Sequence, residues 1–120
     1  MPTMSKEVLS GSTNGRGIIV NQTTSGAAVT IHTATTGGSN TDIDDIFIYA
    51  SNPTSPQRLL TIEFGGNTSV ADEIAVQVPA QTTMLVVPGL ILRAGLVVKA
   101  FCADDASVTL HGFVNRIDQS

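Results

Sequence analysis

Apolar segments of four to eight residues recur along this chain, each cut short by Gly, Pro or a Ser/Thr/Asn cluster before a helix could complete three turns. That punctuation restricts the fold more than any other feature. No window of helical length carries a 3.6-residue apolar stripe free of Gly, and Lys6 to Leu9 offers one turn at most. Thr, Val and Ile dominate, and their branched Cβ atoms lose freedom in a helix but pack well on a pleated strand. Short strands separated by frequent turns point to an all-β sandwich or barrel.

Eight strands are expected: residues 17–23, 27–34, 43–50, 58–65, 73–78, 83–87, 96–103 and 107–117. Alternation assigns their faces. Ile46, Ile48 and Ala50 should point inward, opposite Phe47 and Tyr49; Leu60, Ile62 and Phe64 should share a face, as should Ile74, Val76 and Val78. In 27–34, Val29, Ile31 and Thr33 oppose Thr30 and His32. Gly65-Gly66 supplies the positive φ that a tight turn needs. Pro88-Gly89 fits a type II turn, and Asp104-Asp105 a hairpin connection between the last two strands.

At 120 residues the chain is one domain by size. The polar residues 1–16 read as a flexible N-terminal arm and 17–120 as the β-sandwich. The stretch MLVVPGLILRAGLVVKAF (84–101) is too interrupted by Pro88, Gly89, Arg93 and Gly95 to cross a membrane as a helix. Within it Leu90, Ile91 and Leu92 fall in the expected connection, where apolar residues need cover. Charged residues are 13%, against about 25% in ordinary soluble domains. With so few charges to hold copies apart, self-association is expected. Six Lys and Arg, scattered, do not make a nucleic-acid surface. The lone Cys102 cannot form an internal disulfide and should be a small buried hydrophobe, while the N-terminus lacks the apolar core of a signal peptide. Synthesis in a reducing cytoplasm follows.

The residue types of catalysis are present without their spacing. There is no G-x-S-x-G elbow, H-x-H, C-x-x-C or H-E-x-x-H. His32 and His111 are too few for the histidine-rich metal cluster of a cupin-like enzyme. Asp42 and Asp44 would share a face in an extended segment and offer oxygen ligands to an ion, although the spacing is not that of an EF-hand loop and a solvated acidic loop is the favoured reading. Tyr49 and Phe47 share a face and make a small aromatic platform of the kind sugars stack on. No catalytic residue, cofactor or metal is assigned.

Four segments, LLTIEFGG (59–66), VVPGLIL (86–92), GLVVKAF (95–101) and HGFVNRI (111–117), resemble small virion proteins of tailed bacteriophages. The resemblance covers residues 17 to 117 and rests on structural motifs. It implies an eight-stranded antiparallel sandwich of jelly-roll type, acting as a capsid cement or decoration protein. Such a protein, made in the host cytoplasm, binds the major capsid protein on the outer capsid surface as a homotrimer. On that expectation Leu90, Ile91, Leu92 and Phe113 line the self-association interface, and Lys6, Val8, Leu9 and Arg16 belong to a shell-gripping arm. The alternatives are a tail or adsorption module binding a host glycan and, further off, a small metal-dependent jelly-roll enzyme.

Overall fold

The computed structural model describes residues 2–119. Among them nine strands form two antiparallel sheets. They are β1 (Thr3–Val8), β2 (Ile18–Ile19), β3 (Val29–Thr33), β4 (Ile43–Asn52), β5 (Arg58–Phe64), β6 (Glu73–Val78), β7 (Thr82–Leu92), β8 (Val97–Cys102) and β9 (Thr109–Asp118). One sheet, A, runs β1-β9-β4-β7, with β2 also on β9; the other, B, runs β3-β8-β5-β6. From β2 onward every connection except the β5–β6 hairpin passes from one sheet to the other. The all-β expectation holds.

The core is the set of inward phases facing each other across the sandwich. Sheet A contributes Ile46, Ile48, Ala50, Val87, Leu110 and Val114; sheet B contributes Ile31, Leu60, Ile62, Val78, Val98 and Ala100. The faces expected for β4, β5 and β6 are the observed ones. Cys102 is fully buried among these apolar side chains, and burial pushes its thiol up from the ordinary value. At Gly112 the close approach of β9 to β4 requires glycine, since a Cβ there would lie 2.1 Å from the Phe47 carbonyl oxygen.

Four expectations are corrected. The described part of the expected arm, residues 2–16, does not hang free, because Thr3–Val8 pairs with Asp118–Phe113 of β9. Leu9 is 1% exposed inside the core, and the Gly11 N–H donates to the Ile31 carbonyl at 2.9 Å. The split of the chain at residue 17 therefore does not hold for this segment. A polar run gave no apolar alternation to detect, and the pairing is made by backbone groups that composition does not reveal.

Pro88-Gly89 is not a turn. Strand β7 continues through it to Leu92, and Gly89 uses its positive φ of 91° as the extra residue of a bulge between Pro88 (opposite Phe47) and Leu90 (opposite Ile46). A second bulge falls at Val86. The turn into β8 comes later, at Arg93 to Leu96, where Ala94 and Gly95 both have positive φ. Leu90, Ile91 and Leu92 thus lie in a strand, not a connection.

Nor do β8 and β9 form a hairpin, since they belong to different sheets and residues 103–108 cross between them. Finally, a register shift between Thr30 and His32 breaks the alternation of β3, so that Ile31 and His32 are both buried.

Candidate functional site

Two features stand out once the sandwich is in place: a sealed polar cluster at one end of the core and an open apolar face on sheet A.

The cluster grows from the inward phase of β4. Counting back by two from Ala50, Ile48 and Ile46 reaches Asp44, a carboxylate facing the sandwich interior and fully buried. Its register partner on β9 is Arg116. The Arg116 Nε donates to Asp44 Oδ1 at 2.8 Å and its Nη2 to Oδ2 at 3.0 Å, a two-pronged charge-assisted pair. Oδ2 also accepts the Thr35 backbone N–H at 3.0 Å and lies 2.8 Å from His32 Nε2. The Ser10 backbone N–H donates to His32 Nδ1 at 3.0 Å, so the ring hydrogen sits on Nε2 and points at Asp44. The Ser10 hydroxyl oxygen in turn accepts the Thr33 N–H at 2.7 Å. One carboxylate thereby joins the segment after β1 to β3, β4 and β9.

Chemically this is a clamp. Both imidazole nitrogens and both carboxylate oxygens are engaged, and His32 and Asp44 have no exposed surface. Asp44 offers no oxygen to an ion, since Arg116 and His32 occupy the side that a cation would take. Asp42 is directed elsewhere, accepting the Gln119 N–H at 3.0 Å. His111 is exposed on the outer face of sheet A beside Tyr49, so the two histidines do not converge. Among the described residues no group of three or more His, Cys, Asp or Glu is placed to hold a metal.

Burial alone would push Asp44 up, but the hydrogen bonds from Arg116 and His32 outweigh it and hold the carboxyl below its ordinary value. The linkage sign follows. A folded pKa below the unfolded one, about 3.9, gives stability that is complete above the unfolded value and fades as pH falls through the folded one. Urea midpoints should therefore decline below about pH 4. Asp44→Asn should lose stability at neutral pH and flatten that acid limb; an equally steep limb in the variant would remove Asp44 as its cause.

The apolar face consists of the outward phases of sheet A. Phe47 and Phe113 face each other in register and stack with centroids 4.9 Å apart and planes 12° from parallel. The Lys6 ammonium lies 4.8 Å above the Phe113 ring. Around the stack lie Val8, Tyr49 with its register partner Leu85, and Ile91, which is 54% exposed. Met4, next to Ile117 in register, extends the face along β1.

The expected site residues separate on this map. Ile91 and Phe113 share the open face of sheet A. Leu92 is on the opposite side of β7 and packs against the core, and Leu90, in the same inward phase, is left partly open at the strand's free side. Three consecutive strand residues cannot line one surface, because successive side chains alternate. Of the expected arm, Lys6 and Val8 belong to this same face, Leu9 is core, and Arg16 is exposed in the loop before β2. Phe47 and Tyr49 share the outer face of sheet A as expected, and one ring face of Phe47 is stacked on Phe113.

No protein family, curated protein or solved structure matches this chain.

Proposed function

We propose that the chain is a structural protein of a tailed-phage particle, a jelly-roll cement protein that self-associates through the outer face of sheet A and binds the assembled shell. The observation that carries this reading is the face itself: a stacked Phe pair ringed by exposed Val8, Leu85 and Ile91 on a rigid sandwich. A contiguous exposed apolar surface marks an interface, and on a chain with 13% charged residues a second copy is its natural cover.

The strand order supports the jelly-roll part of the reading. Strands β1 and β2 pair with successive stretches of the same side of β9 and count as one interrupted strand. The two four-stranded sheets then have the order that two nested Greek keys generate. The resemblance of segments 59–66, 86–92, 95–101 and 111–117 supports the virion part. A protein that binds the assembled lattice in preference to its separated subunits stabilises the lattice by mass action, and trimeric attachment multiplies modest contacts.

The test is light scattering together with sedimentation on expanded shells of the major capsid protein. The wild type should be a trimer and should co-sediment with shells. Leu85→Glu and Ile91→Glu, exposed on that face, should yield folded monomers that bind shells at least about tenfold more weakly. A wild-type monomer without shell affinity would sink the reading. Glycan binding lost in Tyr49→Ala would move the protein to adsorption.

A further inference from the structure

The outer face of sheet B holds a carboxylate that the fold leaves half unsatisfied. Glu63 lies on the outward phase of β5, between Leu60, Ile62 and Phe64 of the core phase, yet it is only 1% exposed. The hydroxyl of Ser25, in the short turn Ser25–Ala27, donates to Glu63 Oε2. Oε1 is buried without a hydrogen-bond partner, alone in this among the described residues. Leaving such a group unpaired is costly, and a native structure tolerates it where something else comes to satisfy it.

Glu63 also lines a cleft of about 320 Å³, together with Gly65, Gly66, Asn67, Gly95 and Lys99. That volume is at the lower end of small-molecule sites. The Gly65-Gly66 turn after β5 and the Ala94-Gly95 turn before β8 form its rim. Lys99 is the register partner of Glu63 on β8, exposed, and joined by an ion pair to no carboxylate among the described residues. Glu73 is the register partner of Glu63 on the other side, on β6. The row across the sheet is therefore Glu73, Glu63, Lys99. The negative pair at one end favours a cation beside Glu63, and the unpaired ammonium at the other favours an anion.

We infer that this cleft binds a small zwitterion, an α-amino acid, with its ammonium donating to Glu63 and its carboxylate meeting Lys99. Oε1 is closed to solvent in the free chain, so binding requires the Glu63 carboxyl to turn toward the cleft, where an ammonium supplies both the N–H that Oε1 lacks and the opposite charge that a buried carboxylate requires. The site is on the face of the sandwich opposite the apolar face of sheet A, so it stands or falls independently of self-association.

Glycine is the probe, titrated into the full chain and followed by amide NMR. Saturable shifts should appear at Gly65, Gly66 and Gly95. Acetate, methylammonium and glycine betaine, which lack the amine, the carboxylate and the N–H donors respectively, should bind at least about tenfold more weakly. Glu63→Gln and Lys99→Gln should each weaken glycine by about ten- to hundredfold. Lys99 is exposed, so its variant keeps the fold even if the Glu63 variant does not. No saturable shift with glycine, or affinity unchanged in Lys99→Gln, overturns the inference.

Discussion

Asp44→Ala should cost the fold about 3 kcal/mol, the lower end of the loss seen when one partner of a buried ion pair is removed, because the Arg116 side chain is 36% exposed and reaches water. In a domain of this size that is a fall in Tm of roughly 10–20 °C. The substitution leaves the His32 Nε2–H and the Thr35 N–H without the acceptor that Asp44 supplied, and the Arg116 guanidinium with water as its remaining partner. The missing acceptor, rather than missing volume, carries most of the effect. A triple variant, His32→Leu, Asp44→Leu and Arg116→Met, removes the three polar side chains, leaves only the Ser10 and Thr35 N–H groups without acceptors, and should be less destabilised than Asp44→Ala. Urea unfolding followed by circular dichroism measures both. A loss below about 1 kcal/mol in Asp44→Ala would mean that the clamp contributes no more than a surface pair.

Leu9→Ala should be comparably damaging, at about 2–5 kcal/mol, within the range for truncating a buried leucine. The size of this effect measures whether the N-terminal segment belongs to the sandwich. Leu9 is 1% exposed, and beyond it the Ser10 and Gly11 N–H groups are spent on His32 and Ile31. Val8→Ala, one residue earlier and half exposed, should change stability by less than about 0.5 kcal/mol. A segment that swings free would show no difference between the two.

The strand faces of β4, β5 and β6 were legible because uninterrupted alternation translates directly into inward and outward positions. The same rule reached further than it was taken. Extending the inward phase of β4 back from Ile46 arrives at Asp44, and extending that of β9 on from Val114 arrives at Arg116. A carboxylate and a guanidinium, each in phase with a core, were thus readable as a pair at the core's end, with Asp44 buried and Arg116 partly exposed. Their mutual register was not, because it depends on how β9 lies against β4. His32 was hidden by the shift after Thr30, which moves a residue counted as outward to the interior. Pro88-Gly89 was misleading for a related reason: a Pro followed by a positive-φ Gly suits a turn and a bulge equally, and only the partner strand decides. Asn52, whose Nδ2 donates to the Val78 carbonyl at 3.0 Å while its Oδ1 accepts the Thr54 N–H at 3.0 Å, lies beyond the expected end of the 43–50 strand, where no alternation marked it as buried. The burial of Glu63 left no trace in the pattern, since Ser25, which donates to its carboxylate, is distant in sequence.

The two bulges of β7 bear on how copies of this chain can meet. This strand borders sheet A, and a bare border strand is ordinarily an invitation to endless edge-to-edge growth. Here Val86 and Gly89 break the regular spacing of amide groups along that border, and Pro88 has no N–H to offer. A neighbour's strand would meet broken spacing and a missing donor there, so strand-to-strand growth is disfavoured at that margin.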